Sequence, residues 1–87
     1  MNAAQARALA AEVLAGIAPE ADLATLGPDQ DLRAALDLDS MDYLNFVIGI
    51  SERSGIAIPE SDAPRLASLR TLEAYLCGAG GRSGHAG

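Results

Sequence analysis

Lysine and tryptophan are absent from this 87-residue chain, which has one cysteine, one histidine and one phenylalanine. Each shortage removes a class of chemistry. A glycine-rich phosphate loop of the P-loop type needs a lysine, so none is available. Cys77 alone can neither close an intrachain disulfide nor build a cysteine-rich zinc site, and it suits a reducing compartment. His85 lies in a glycine-rich stretch where nothing would hold it against a nucleophile. A Ser/His/Asp or Cys/His arrangement is therefore not expected. No apolar run reaches the ~18 residues of a membrane span. The first residues, alanines around Arg7, lack an uninterrupted apolar core with a clean cleavage site. The expectation is a soluble, cytoplasmic monomer that meets no membrane.

Cations and aromatics are also scarce. Six arginines face twelve acids, a formal charge of −6, which argues against nucleic acid and favours basic partners. Aromatics make up 3% of the residues although 49% are apolar. The core must then be built of Ala, Leu, Ile and Val, which suits helices better than strands. A chain of this length forms one small domain that buries only about 60–65% of its unfolded surface, too little for a deep enclosed active site.

The apolar spacing predicts an all-α fold. Asn2 can cap a first helix reaching about Ala18, with Ala6, Leu9, Ala10, Val13, Leu14 and Ile17 at three-to-four spacing, and Pro19 ends it. A long connection follows over residues 20–39. Its leucines, Leu23, Leu26, Leu32, Leu36 and Leu38, should tuck onto the core. Asp39 or Ser40 caps the second helix, with Asp42 placed to answer its free N–H groups and dipole. Met41, Leu44, Phe46, Val47, Ile48 and Ile50 cover more than half of that helix, which makes it central. Gly55 is its natural C-cap. Residues 61–66 allow one or two irregular turns around Pro64, and Ser68 caps a last helix with Leu69, Leu72 and Leu76 inward and Ala74 and Tyr75 beside them. From Gly78 onward five of ten residues are glycine. The division expected is a domain over residues 1–77 and a flexible tail over residues 78–87.

One serine stands apart. Ser40 lies between Asp39 and Met41-Asp42 at the head of the central helix. Asp37, Asp39 and Asp42 lack the spacing of a calcium loop, so no native metal site is expected. Leu38-Asp39-Ser40-Met41-Asp42 resembles the Asp-Ser-Leu/Met-Asp/Glu signature of acyl carrier proteins. Upstream, Asp31-Leu32-Arg33-Ala34-Ala35-Leu36 resembles the acidic and hydrophobic approach to the serine in that family. Downstream, Gly55-Ile56-Ala57-Ile58-Pro59-Glu60-Ser61-Asp62 resembles its Gly-Ile-x-Ile-Pro-Asp/Glu segment at the same distance from the serine.

The resemblance spans about residues 3–77 and implies a small four-helix bundle with a long loop between helices 1 and 2 and a short third helix. It implies a carrier, not an enzyme. Ser40 would be esterified with 4′-phosphopantetheine from coenzyme A by a phosphopantetheinyl transferase, with Asp39, Met41 and Asp42 as recognition motif. Acyl-activating or synthase enzymes with basic docking surfaces are the implied further partners, for fatty-acid, polyketide or another acyl pathway. Asp37, Asp39, Asp42, Tyr43 and Asn45 are candidate partner contacts, with Tyr43 and Asn45 expected to be exposed beside the serine. Met41, Leu44, Val47 and Ile48 read mainly as core by spacing, while the resemblance makes them candidates for an acyl cleft between helices. Two alternatives stand beside this reading. An aminoacyl or peptidyl carrier more often shows Gly-Gly-x-Ser before the helix; a non-catalytic acidic helical module would leave Ser40 bare.

Charge is unevenly spread. Residues 20–62 hold ten acids against two arginines, a net of −8, and the remainder is +2. The serine-bearing helix is nevertheless poorer in acids than the family pattern, with Asn45 where a glutamate is common and Ser51, Arg53 and Ser54 in a usually acidic stretch. Gly49 inside that helix should cost about 1 kcal/mol relative to alanine.

Overall fold

The computed structural model describes residues 1–82, with side chains described as far as residue 78. Helix α1 spans Ala3–Ile17 and begins in a reciprocal cap. Asn2 Oδ1 accepts from the Gln5 N–H at 2.8 Å, and Gln5 Oε1 accepts from the Asn2 N–H at 2.9 Å. Two of the backbone donors that every helix start leaves free are thereby satisfied. The helix closes at Ala18, directly before Pro19, and buries Ala6, Ala10, Val13 and Leu14 along one stripe.

The long connection carries structure of its own. A 3₁₀ turn at Leu23–Thr25 and a one-turn helix, α2, at Leu32–Ala35 are capped by the carboxylates of Asp22 and Asp31. Leu23, Leu32 and Leu38 are buried, and Leu26 and Leu36 pack partly buried against the same core. Backbone bonds fasten the connection to the far end of the chain: the Leu32 N–H donates to the Ala67 carbonyl at 2.6 Å, and the Arg70 N–H to the Pro28 carbonyl at 2.9 Å.

Helix α3, Ser40–Ser54, is the central element and ends on Gly55 in the left-handed conformation, φ 72°. A 3₁₀ helix at Glu60–Leu66 is the short third helix of the expected bundle. Helix α4, Leu69–Arg82, starts where the Ser68 hydroxyl accepts from the Thr71 N–H at 3.3 Å and buries Leu69, Leu72 and Leu76. Its backbone continues past Gly78, where the sequence suggested a tail. Extending a formed helix fixes one residue per new hydrogen bond, so α4 propagates through glycines that could not nucleate it. The rest of the proposed tail, residues 83–87 with His85, lies outside the described residues.

Among the described residues the fold is all-helical, and α3 packs on α1 at very close range. A Cβ on Gly49 would lie 2.7 Å from Val13 Cγ1, so the missing side chain is what lets the helices approach. The glycine is therefore a packing requirement as well as a weak helix former. The three aromatics serve one region. Phe46 is fully buried at the centre, the Tyr43 hydroxyl donates to the Ala63 carbonyl, and the Tyr75 hydroxyl donates to Asp62 Oδ2 at 2.9 Å. Both tyrosines thus hold the Glu60–Leu66 segment. Exposed ion pairs, Arg7–Glu73, Arg53–Glu12 and Arg70–Asp29, link neighbouring elements and contribute little individually.

Gly49→Ala is expected to destabilise the fold by about 1–3 kcal/mol, because buried, β-branched Val13 has little room to yield. Gly16→Ala, where an added Cβ meets nothing within 4 Å, is expected to stabilise it by about 0.5–1 kcal/mol. Urea unfolding of the two variants checks the pair, and a stabilising Gly49→Ala would refute the close approach.

Candidate functional site

The head of α3 divides two tasks between adjacent residues. Asp39 Oδ1 accepts from the Asp42 N–H at 2.8 Å and is the N-cap. Asp42 adds a carboxylate in the first turn, where the helix dipole favours negative charge. Ser40, the first helical residue, is exposed, and among the described residues no side-chain hydrogen bond uses its hydroxyl. A serine in this neighbourhood commonly serves as the cap itself. Here the aspartate fills that position and leaves the serine Oγ uncommitted.

The approach to Ser40 is shaped by the end of α2. The Leu38 N–H donates to the Arg33 carbonyl at 2.9 Å and the Asp37 N–H to the Ala34 carbonyl at 3.4 Å, the pair of bonds that defines a Schellman ending. Asp37 occupies the left-handed position of that motif, with φ 55°. Aspartate tolerates this conformation better than most residues because its short polar side chain bonds locally. Asp37 is exposed, so it has a backbone role alongside its candidate role in partner contact. From the sequence the residue reads first as an acid, and the left-handed turn follows from the Schellman ending seen in the fold.

Helix α3 turns Tyr43, Phe46, Val47 and Ile50 inward. Three of the four cleft candidates are not core residues: Met41, Leu44 and Ile48 are 64%, 45% and 44% exposed, whereas Val47 is 5% exposed. The reason is geometric. Apolar residues cover more than half of α3, and the close approach to α1 at Gly49 selects which flank faces inward. Tyr43 also departs from expectation. It is buried, not exposed beside the serine, with its hydroxyl on the Ala63 carbonyl. Asn45 is exposed as expected, Asp39 is exposed as well, and Asp42 is half-buried.

Two open clefts run between α3 and the Glu60–Leu66 segment. One, of about 450 Å³, is lined by Asp31, Arg33, Ser40, Tyr43, Leu44 and Val47 of the near side and Glu60 and Ala63 of the far side. The other, of about 320 Å³, continues along Leu44, Val47 and Ile48 toward Ile58. Met41 lines neither. A third, larger groove of about 710 Å³ lies along the alanines of α1. Its Arg7 and Glu73 are paired with each other, and its lining holds no hydroxyl or thiol.

Arg33 was not singled out from the sequence. Its guanidinium carbon sits 5.3 Å from the Tyr43 ring centroid, within cation–π range. Burial pushes the Tyr43 phenol up to about 12, with Arg33 opposing and Asp31 adding to the rise. Burial, followed by the hydrogen bond to Asp62, raises Tyr75 as well. Among the described residues no group of three or more His, Cys, Asp or Glu is placed to hold a metal ion, and no helix is long and apolar enough to cross a membrane.

Residues 5–76 match the family described as "Phosphopantetheine attachment site". The chain is also 32% identical over 65 residues to an acyl carrier protein of Streptomyces coelicolor, a match covering 75% of this chain and 71% of the relative. The chain belongs to the phosphopantetheine-attachment family of acyl carrier proteins, whose members are carriers rather than catalysts. Its cofactor is covalently attached 4′-phosphopantetheine. The residues present fit that group: an exposed hydroxyl with no side-chain hydrogen bond among the described residues, on a helix head beside an open cleft, is available for esterification.

The raised Tyr43 phenol has a consequence for stability. In the folded chain it keeps its proton up to about pH 12, whereas an unfolded tyrosine loses it near about pH 10. The folded state then binds more protons across that window, so stability is full below it and falls as pH rises through it. Ultraviolet titration should show one phenol ionising near 12, and Tyr43→Phe should remove its share of the alkaline loss. A normal titration for Tyr43 would contradict the buried placement.

Proposed function

We propose that Ser40 is the attachment point of the phosphopantetheine arm and that this protein holds acyl intermediates for a fatty-acid, polyketide or other dedicated acyl pathway. The observation that supports it most is the exposed Ser40 hydroxyl, which makes no side-chain hydrogen bond among the described residues while Asp39 caps α3 in its place. In the loading reaction the Ser40 oxygen bonds to the β-phosphorus of coenzyme A and adenosine 3′,5′-bisphosphate leaves. Among the described residues no side chain is hydrogen-bonded to Oγ, so a transferase must supply the base and magnesium. Once attached, the arm presents a terminal thiol that carries acyl groups as thioesters.

This chain's own residues then bind and present. Asp37, Asp39 and Asn45 are exposed around the serine and give the transferase and synthase-type enzymes a polar, acidic face for basic docking surfaces. Met41, Leu44 and Ile48 add exposed apolar area to the same helix. Their exposure favours a role in partner contact, with Leu44 and Ile48 also at the cleft wall. Arg53, the cation on α3, is drawn toward α1 by Glu12 at 2.8 Å, which keeps positive charge off the docking face. The unpaired Cys77 supports a reducing, cytoplasmic setting.

Incubation of the apo protein with a promiscuous phosphopantetheinyl transferase, magnesium and coenzyme A should add one phosphopantetheinyl mass, read by intact-protein mass spectrometry. Ser40→Ala should remain folded and gain nothing. Loading of that variant at the wild-type rate would place the arm elsewhere.

A further inference from the structure

In the acidic stretch over residues 20–62, Arg33 is the arginine in no ion pair among the described residues; Arg65, also outside these pairs, lies beyond that stretch. Arg7, Arg53 and Arg70 are each paired with a carboxylate across elements. Arg33 forms no such pair among the described residues and instead lies over the Tyr43 ring. It is also the cation on the wall of the cleft that Ser40 lines; the other charged groups there, Asp31 and Glu60, are acids. Asp31 is engaged with the backbone, its Oδ1 accepting from the Arg33 N–H at 3.0 Å. Just beyond the cleft, Asp37, Asp39 and Asp42 flank the serine in sequence. An anion joined to Ser40 would meet repulsion from these acids and attraction from Arg33.

Resting on the assignment of the arm to Ser40, we propose that Arg33 is the positioning residue for the phosphodiester of that arm, holding its negative charge at the cleft mouth. The backbone of Arg33 is fixed at both ends, by Asp31 at its N–H and by Leu38 at its carbonyl. The ring beneath restrains the side chain. A guanidinium attracted to a ring at this distance still carries a rigid fork of N–H donors that can form paired bonds to phosphate oxygens, a geometry that lysine cannot reproduce. Buried Tyr43 therefore acts through Arg33: its hydroxyl is anchored on the Ala63 carbonyl, and its ring offers the surface on which the cation rests. The root of the arm is thereby directed along the cleft instead of swinging freely from the helix head.

The test uses the complete protein in apo and holo forms, with mass spectrometry first establishing that wild type has taken up the arm. Failure at that step overturns the Ser40 assignment and this inference together. In the holo protein the phosphorus-31 resonance of the diester should be displaced from its position in the urea-unfolded holo chain. That displacement should shrink in high salt, be lost in Arg33→Gln and be partly retained in Arg33→Lys. Coincident wild-type and Arg33→Gln resonances, with the arm attached in both, would overturn the role of Arg33 and leave Ser40 untouched. A second readout does not require loading of the variant. The Arg33 Nε–H resonance, assigned by its absence from apo Arg33→Gln, should move downfield when wild type is loaded. An unchanged resonance would overturn the proposal.

Discussion

The hydrogen bond from the Asp42 N–H to the Asp39 carboxylate decides what the head of α3 can do. A helix start leaves several backbone donors in need of acceptors, and the side chain supplying one is bound to that task. Placing the acceptor on Asp39 has two effects. It starts the central helix of the core, and it leaves the hydroxyl of the next residue exposed, with no side-chain hydrogen bond among the described residues. The Schellman ending of α2 serves the same outcome from the other side, because the left-handed Asp37 turns the chain so that Leu38 can be buried while Asp39 and Ser40 remain exposed.

Helix α3 reconciles a core role with an outward one through a single missing side chain. Gly49 lets it settle against Val13 of α1, and the stripe of Tyr43, Phe46, Val47 and Ile50 is buried as a result. The remaining apolar residues, Met41, Leu44 and Ile48, are left outside. Apolar area displayed next to an acidic, serine-bearing helix head suits transient association with enzymes that must dock, act and release. The ion pairs reinforce that display. Arg7, Arg53 and Arg70 are occupied in holding elements together, so the acids around Ser40 are left largely uncompensated.

Much of this was legible in the sequence because it is local. Asn2, Asp39, Ser68 and Gly55 each act within a few residues of the helix end they close, and all four do so in the fold. The buried leucines of the long connection follow from their spacing and from the lack of any other element to cover the core. The readings that fell short depend on contacts distant in sequence. Tyr43 looked exposed because its partner, the Ala63 carbonyl, lies twenty residues away. The exposure of Met41, Leu44 and Ile48 depended on which flank of an apolar helix α1 would select. Arg33 carried no motif at all, and only the fold places it over Tyr43 and beside Ser40.

Capping and chemistry are separated at the head of α3, and paired stability measurements on apo variants probe that separation. Urea unfolding of Asp39→Ala and Ser40→Ala compares the two residues under one condition. Asp39→Ala is expected to lose about 1 kcal/mol and Ser40→Ala to change by no more than about 0.5 kcal/mol. Equal losses in the two variants, or a larger loss for Ser40→Ala, would mean that the serine is itself the cap, and the claim of a free hydroxyl would be contradicted.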